Sequence, residues 1–287
     1  MPHGKAFSMP GKLLDFFIFS SLYIAGCAVL MVHQTNHLLH LQYKTTPYFL
    51  FVFFSTICSY NFHWYLTGTA ENEKLRVRWT RDHKRLHFTF FVIGLAGAAM
   101  LVLPFLKHWF WMGGAILLTF LYSAPKIDRP PFYFLRKIAV GKTMFLAFVW
   151  MYVTTLLPII FSGKAWQTQD VLFCTSRFFM VYSICVIFDY RDRQSDKLQG
   201  IRSLITFLDE KGVAIVFYAS LLIFAMSTLA LHFSGFSLPV TLLLLVPGVI
   251  TLALYDYART HFSDYLYYVV LDGLMMLSAI FTSFISI

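Results

Sequence analysis

Long blocks of hydrophobic residues, separated by short polar stretches, dominate the pattern of this chain of 287 residues. A helix needs about 20 mainly apolar residues to cross the hydrocarbon core of a bilayer. Inside lipid, every backbone polar group must be paired within the protein, so such blocks adopt helices. The pattern predicts an all-α polytopic membrane helical bundle of about nine transmembrane helices, at approximately 14–33, 47–66, 87–106, 108–123, 139–161, 170–189, 212–233, 236–255 and 265–286.

The amino-acid composition agrees with a membrane protein throughout the chain. Apolar residues make up 58% of it and charged residues only 13%, with a mean hydropathy of +0.66. A soluble domain, in contrast, carries about 25% charged residues. The longest polar stretch has about twenty residues, too few to fold alone. We therefore expect a single transmembrane domain over 1–287, built as two loose four-helix halves followed by a ninth helix.

Positive charge is concentrated on one side of the predicted bundle. If the N-terminus is cytoplasmic, 18 of the 23 Lys and Arg residues fall at the N-terminus or in the loops after spans two, four, six and eight. Lys and Arg accumulate on the cytoplasmic side of short loops. This predicts an integral membrane protein of the bacterial cytoplasmic membrane with a cytoplasmic N-terminus. Its basic loops would face membrane lipid headgroups and a phosphorylated substrate, not nucleic acid.

Several kinds of chemistry have no support in the sequence. The cysteines Cys27, Cys58, Cys174 and Cys185 lie in apolar runs without C-x-x-C spacing, so the sequence indicates neither a disulfide framework nor a zinc site. The chain also lacks the sequence motifs of P-loop proteins, dinucleotide-binding folds, zinc proteases and serine hydrolases. Nucleotide-driven transport and these enzyme classes are therefore not indicated.

An acidic row follows span six. Asp189, Asp192 and Asp196 stand at i, i+3 and i+7, within about 60° of one another if the helix continues. Oxygen-only ligands of this kind suit Mg²⁺, which commonly bridges one or two carboxylates to a substrate phosphate. The alternative is a solvated helix end, in which the carboxylates pair with the neighbouring basic residues Arg191, Arg193 and Lys197.

A basic loop lies on the same predicted face of the membrane. The stretch 124–137 carries Lys126, Arg129, Arg136 and Lys137. A metal ion combined with Lys and Arg side chains is a recurring arrangement for holding a polyphosphate and neutralising one that departs. Because this face belongs to an apolar bundle, the combination suggests a lipid diphosphate.

These two regions resemble a known family. The D-x-x-D-x-x-x-D pattern from Asp189 to Asp196, with the Gly-Ile-Arg-Ser-Leu that follows it, resembles the second aspartate-rich motif of the UbiA-type intramembrane prenyltransferases. The segment 121–125 with its basic continuation is similar to that family's loop between spans four and five. Nine helices also match. The resemblance extends over the whole chain in topology but over only about thirty residues in specific motifs.

The resemblance implies a function and a set of site residues. We expect a Mg²⁺-dependent enzyme that transfers a prenyl group from an isoprenoid diphosphate to an aromatic or other lipid-soluble acceptor. Asp189, Asp192 and Asp196 are then the metal ligands. The residues expected to bind the diphosphate directly are Lys126, Arg129, Arg136, Lys137 and Arg202.

The family's first aspartate-rich motif is degenerate in this chain. The pattern N-D-x-x-D-x-x-x-D should end span two, where the chain has Asn61 through Thr69. Asn61 alone is kept, and the aspartate positions hold Phe62, Tyr65 and Thr69. One carboxylate cluster is therefore absent, and with it the ligands of one of the two magnesium ions that the resemblance implies. Nearby carboxylates lie about half a helical turn off the required face, at Glu71 and Glu73.

The missing cluster leaves two hypotheses open. Basic side chains of the loop 67–86 could replace the second ion, with Arg78, Arg81 and Lys84 as candidates. Alternatively, the chain is a non-catalytic or divergent relative that binds an isoprenoid, a quinone or a partner protein. Residues expected to contact the acceptor, or to be remnants of the first motif, are Asn61, Tyr65 and Tyr122; an aromatic belt at the membrane interface is the simpler interpretation of such a cluster.

Two further groups of polar residues lie within or beside the spans. Arg177 and Asp272 are ionisable residues inside spans six and nine, and an unpaired charge there is costly. We expect a structural ion pair between them, with a polar cavity, a proton path or transport as alternatives. The spacing of His33, His37 and His40 is compatible with a metal or a haem edge, although polar residues at the membrane interface are the commoner case.

Overall fold

A computed structural model describes residues 9–67, 74–124, 141–198 and 203–285 of the chain. Within these ranges the regular secondary structure is entirely helical. The helices are α1 Met9–Phe19, α2 Leu22–Leu38, α3 Thr45–Leu66, α4 Leu75–Asp82, α5 Lys84–Leu101, α6 Trp109–Ser123, α7 Lys142–Ser162, α8 Thr168–Leu198, α9 Leu204–Phe207, α10 Glu210–Phe233, α11 Leu238–Thr260 and α12 Leu266–Thr282.

The helices confirm the all-α membrane prediction. Each of the nine predicted windows coincides with a helix or, for the first window, with the pair α1 and α2. In the described ranges, α5, α7, α8, α10 and α11 are each long and apolar enough to cross a membrane, and the bent pair α1–α2 is a sixth candidate. Many of their large apolar side chains face outwards, as the surface of a protein in lipid requires.

The first span differs from its prediction as one helix over 14–33. The chain bends by 58° between α1 and α2, and Ser21 adopts a left-handed backbone conformation with φ 72°. This break interrupts the helical hydrogen-bond ladder near the Ser20 carbonyl. The Asn61 side-chain amide of α3 donates to that carbonyl at 3.0 Å, so the buried group is satisfied from another helix.

Helices α3 and α5 pack closely on each other at Gly94. At Gly94 a Cβ atom would lie only 2.6 Å from the backbone nitrogen of Cys58. A side chain of any size would push the two helices apart, and small residues are the usual means of close helix contact in membranes.

A widened π-helical turn over Tyr152–Leu156 interrupts the regular part of α7. The carbonyls of this turn are paired by hydroxyl groups from neighbouring helices. Tyr48 donates to the Val153 carbonyl at 2.6 Å, and Thr35 donates to the Thr154 carbonyl at 2.8 Å. Single π turns occur often beside functional sites, and Val153 and Thr154 both line the cavity described below.

The predicted Arg177–Asp272 ion pair is wrong. Arg177 donates instead to the side-chain oxygen of Gln34 at 2.9 Å, and Gln34 in turn donates to Ser278 and Thr282 of α12. Those residues lie six and ten positions beyond Asp272, which is about 9 to 15 Å along a helix. Arg177 therefore lies at a different depth, and an uncharged amide satisfies its guanidinium. Asp272 lines the cavity.

Candidate functional site

A cavity of about 800 Å³ opens between α2, α3, α6, α7, α8 and α12, and the segment before and within α4 forms part of its wall. Along α8 the lining changes from Ile184, Cys185 and Phe188 to the three carboxylates near the C-terminal end of the helix. The cavity thus has an apolar, aromatic part and a charged part. The charged residues that line it are Lys74, Arg76, Lys142, Asp189, Arg191, Asp192, Asp196 and Asp272.

The first residues of α7 contact two of the aspartates. The Thr143 hydroxyl donates a short hydrogen bond to Asp189 Oδ2, and Asp189 is only 8% exposed. Lys142 Nζ lies 3.6 Å from Asp196 Oδ2. Lys142 was not among the predicted site residues; its place at the start of span five, directly after the basic loop, was the signal that could have identified it.

The middle aspartate is held by two cations. Asp192 Oδ1 accepts from Lys74 Nζ at 2.9 Å and from Arg191 Nε at 2.9 Å, and its other oxygen accepts from an Arg191 terminal nitrogen at 3.2 Å. Arg191 also donates to the Tyr268 hydroxyl at 3.0 Å. Arg193 instead pairs with Glu210 at 2.8 Å. Of these two arginines, only Arg191 therefore pairs with a neighbouring carboxylate of α8.

Arg76 is the most buried cation of the loop between α3 and α5. Its guanidinium lies 4.2 Å from the centre of the Trp64 ring and 4.3 Å from that of Tyr268. Its backbone nitrogen donates to Asp264 Oδ2 at 2.9 Å, which fixes α4 against the start of the last helix. Burial lowers the pKa of the Arg76 guanidinium below its ordinary value.

The loop 67–86 supplies cations to the cavity, although not the predicted ones. Lys74 and Arg76 line it, whereas Arg78, Arg81 and Lys84 are exposed and lie outside its wall. Arg76 and Arg78 point about 200° apart on a helix. Because Asp264 binds the Arg76 backbone, α4 turns the face of Arg76 towards the cavity and that of Arg78 away.

Asn61 lies behind the cavity wall. Its amide donates to the carbonyls of Ser20 at 3.0 Å and Ile57 at 2.9 Å, and His87 Nδ1 lies 2.7 Å from its oxygen. The residue is completely buried and is not part of the lining. This placement does not support the expected contact between Asn61 and the acceptor, because the side chain joins α1, α3 and α5.

The two described aspartate positions of the first motif, Phe62 and Tyr65, also turn away from the cavity. Phe62 packs on Phe91 of α5 with ring centres 5.1 Å apart, and Tyr65 packs on Phe88 at 5.5 Å. Neither lines the cavity, so the expected role of Tyr65 towards the acceptor is likewise not supported by its placement. Thr69, Glu71 and Glu73 lie outside the described residues.

Of the three acceptor candidates, Tyr122 does line the cavity. Its ring stacks on His63 with centres 5.2 Å apart and planes 17° apart. His63 Nδ1 lies 3.5 Å from the Ser123 hydroxyl. His63 also lines the cavity and was not among the predicted site residues; it lies one helical turn from Tyr60 and beside Trp64, which line the same wall.

The predicted direct diphosphate ligands cannot be positioned, because they fall outside the described residues: Lys126, Arg129, Arg136, Lys137 and Arg202. The residues that flank the first of these stretches are informative. Ser123, at the end of α6, and Lys142, at the start of α7, both line the cavity. The described residues on both sides of the stretch 125–140 therefore lie in the cavity wall.

The carboxylates of α8 fit one kind of metal site. Across the described ranges, no three His, Cys, Asp or Glu side chains converge into a group that could hold a metal by themselves. Asp189, Asp192 and Asp196 each have a protein partner instead. Their oxygen donors fit a Mg²⁺ ion that takes one or two carboxylates and shares a substrate phosphate. The metal ligand set stays a prediction.

The three histidines at the other end of α2 also form no metal group within the described chain. The rings of His33 and His37 stack with their centres 6.0 Å apart, and His37 Nε2 lies 3.1 Å from the Ile285 carbonyl. His40 is exposed and has a left-handed backbone conformation with φ 51°.

Comparison of the whole chain with known proteins gives similarity in structure alone. No family model and no curated protein sequence matches it. A UbiA homologue from Archaeoglobus fulgidus bound to Cd²⁺ aligns with a TM-score of 0.58 and 13% identity, over 92% of this chain and 97% of that one. An apo UbiA homologue from Aeropyrum pernix K1 gives 0.57 and 14%, over 94% and 98%.

A third solved structure has a similar extent of overlap. A digeranylgeranylglyceryl phosphate synthase aligns with a TM-score of 0.51 and 12% identity, over 94% of this chain and 98% of that one. The three alignments cover nearly all of both chains, so the likeness concerns the complete bundle rather than a group of helices.

Proposed function

We propose that this integral membrane protein, whose fold is that of the UbiA-type prenyltransferases, transfers a prenyl group from an isoprenoid diphosphate to an aromatic or other lipid-soluble acceptor. The observation that carries the proposal is the division of the 800 Å³ cavity into a charged part and an aromatic, apolar part. A diphosphate head requires the first and an isoprenoid tail the second. The predicted topology would place the charged part at the cytoplasmic face of a bacterial membrane.

The diphosphate head would bind among the cations of the charged part. Lys74, Lys142 and Arg191 line it. Lys126, Arg129, Arg136, Lys137 and Arg202 remain the proposed ligands from the stretches beyond the described residues. A Mg²⁺ ion arriving with the substrate would be held by Asp189 and Asp196, with Asp192, and would neutralise charge on the departing diphosphate.

The chemical step proposed is ionisation followed by capture. The bond between C1 of the prenyl group and the diphosphate oxygen breaks, and its electron pair leaves with the diphosphate. The allylic cation that remains would face aromatic rings of the wall, among them Tyr60, Tyr122 and Phe188, and such rings attract cations. The acceptor then donates an electron pair to C1 and loses a proton.

A second candidate function has its own observation. Phe62 and Tyr65 stand at aspartate positions of the first motif and pack against α5, so these positions supply no carboxylate to the cavity. A protein that binds an isoprenoid diphosphate or a quinone without catalysis would need no second metal there. The two candidates differ in whether the carbon–oxygen bond is ever broken.

Release of pyrophosphate separates the two candidates. The full chain in nanodiscs is incubated with geranyl, farnesyl and geranylgeranyl diphosphate carrying ³²P, with Mg²⁺ and with mixed lipid-soluble phenols as acceptors. We expect release by the wild type, at least about 100-fold slower release by Asp189→Asn, and an unchanged rate in the matched control Asp256→Asn, whose side chain is 86% exposed on α11. Binding without release from any of the three substrates would contradict the transferase and support the binding protein.

A further inference from the structure

The Arg76 guanidinium is buried without a hydrogen-bonded counter-ion among the described residues. The residue is 4% exposed, and its side-chain contacts are with the rings of Trp64, Tyr268 and Phe19. Among the described residues, its guanidinium forms no hydrogen bond and no ion pair, and Nε is buried without an acceptor. Burying a charge is costly unless a hydrogen-bonded counter-ion compensates for it. The arrangement therefore indicates that an anion completes this environment.

The guanidinium is held in place by groups that leave its hydrogen-bonding edge free. The guanidinium carbon lies 4.2 Å from the centre of the Trp64 ring and 4.3 Å from that of Tyr268. Asp264 binds only the Arg76 backbone nitrogen, and its other oxygen lies 3.9 Å from Arg191. A guanidinium held in this way keeps its donors for an oxyanion, which arginine commonly binds through two hydrogen bonds. Arg76 lines the cavity, so an anion can reach it from there.

A second cation lies two residues earlier in the chain. Lys74 lines the same cavity, and its Nζ contacts Asp192 at 2.9 Å with a third of its side chain still exposed. An ammonium group has three donors, so Lys74 can keep the carboxylate and still donate to an incoming phosphate. Both residues follow the degenerate first motif in the chain. In that motif Phe62 and Tyr65 stand at aspartate positions and supply no metal-binding carboxylate.

We propose that Arg76 and Lys74 form a metal-independent phosphate subsite, which binds the terminal phosphate of the substrate's diphosphate. This inference depends on the proposed function for the identity of the ligand, but not for the existence of the subsite. The two side chains supply, as permanent charges, the cationic contacts that a second metal ion would otherwise provide. The subsite therefore predicts that a diphosphate binds, although more weakly, when divalent metals are removed.

Binding of inorganic pyrophosphate tests the subsite directly. The full chain in detergent is titrated by calorimetry in excess EDTA. We expect measurable binding by the wild type and about 10- to 100-fold weaker binding by Arg76→Gln, since hydrogen bonds between charged groups have this effect. The matched control is Arg78→Gln on the same helix, whose side chain is exposed and whose binding should equal that of the wild type. Arg76→Lys should retain part of the affinity.

A second variant covers the case in which a substitution at the buried Arg76 prevents folding. Lys74 is half-buried, and Lys74→Gln should fold and weaken metal-free binding about tenfold, whereas Lys84→Gln at an exposed position of α5 should not. Metal-free binding that is undetectable in the wild type, or equal in Lys74→Gln and Lys84→Gln, would overturn the inference.

The outcome is independent of the test of catalysis. If the wild type binds pyrophosphate in EDTA through Arg76 and Lys74 but never releases it from prenyl diphosphates, the subsite stands and the transferase does not. If release occurs with the same KM in Lys74→Gln and in the wild type, the transferase stands and the subsite is wrong.

Discussion

Lys74 Nζ lies 2.9 Å from Asp192 Oδ1 and thereby joins two segments that are 118 residues apart in the chain. The contact connects the loop after α3 to the middle carboxylate of the aspartate row on α8. It lies in the wall of the cavity and gives a potential metal-binding carboxylate a protein cation as its partner.

Replacing Asp192 should affect binding in opposite directions with and without metal. In Asp192→Asn, Lys74 and Arg191 lose their shared counter-ion, so phosphate no longer competes with a carboxylate for them. We expect metal-free pyrophosphate to bind up to about fivefold more tightly, while the gain in affinity on adding Mg²⁺ becomes smaller. Calorimetry in EDTA and in Mg²⁺ measures both. An equal loss of pyrophosphate affinity in EDTA and in Mg²⁺ would show that the substitution does not release Lys74.

The hydrogen bond from Thr143 to Asp189 should stabilise the site. Thr143→Val keeps the shape of the side chain but leaves a buried carboxylate without its donor, so we expect a loss of about 1 to 3 kcal/mol in the free energy of unfolding. Thermal unfolding in detergent is the measurement. Thr89→Val, at an exposed position of α5, is the control, and a similar change in both variants would contradict the assignment.

The contact of α3 with α5 should not tolerate a larger residue at Gly94. The Cβ of Gly94→Ala would lie 2.6 Å from the Cys58 backbone nitrogen, so the helices must move apart, at a cost of about 1 to 3 kcal/mol. At Gly113 a Cβ meets no atom within 4 Å. We expect a lower unfolding temperature for Gly94→Ala and an unchanged one for Gly113→Ala. If the two variants were equally stable, α3 and α5 would have to be farther apart than in the structure.

Arg177 and Asp272 should contribute independently to stability. Arg177 is bound to Gln34 at 2.9 Å, whereas Asp272 lines the cavity. In a double-mutant cycle with Arg177→Met and Asp272→Asn, the two effects on unfolding should add within about 0.5 kcal/mol. A coupling of 2 kcal/mol or more, about the size expected for a buried charge pair, would restore the ion pair that the sequence predicted.

Hydropathy was sufficient to predict the long apolar helices, though not the short α4 and α9, because lipid leaves the backbone a single way of pairing its polar groups. It could not predict the 58° break between α1 and α2. That break depends on the left-handed conformation of Ser21 and on the amide of Asn61, which comes from α3. A window average is insensitive to either.

Only part of the site could be predicted, because local patterns in the sequence do not specify tertiary contacts. Spacing along one helix brought Asp189, Asp192 and Asp196 to one cavity wall, because neighbours on a helix face are fixed by its period. The cations opposite them depend on tertiary contacts. Arg76 rather than Arg78 enters the wall because Asp264, 188 residues away, binds the Arg76 backbone, and no local pattern specifies the rotation of α4.

The most direct test of the central claim is whether the cavity recognises the diphosphate head. Binding of geranylgeranyl thiolodiphosphate, an analogue that keeps the charged head but does not readily lose it, is measured in Mg²⁺. It is compared with binding of geranylgeraniol, which has the same tail. Because charged hydrogen bonds to Lys142, Arg191 and Lys74 should add several kcal/mol, we expect the diphosphate analogue to bind at least about 100-fold more tightly. Lys142→Met should reduce only that difference. Equal affinity for the two ligands would contradict a diphosphate site in this cavity.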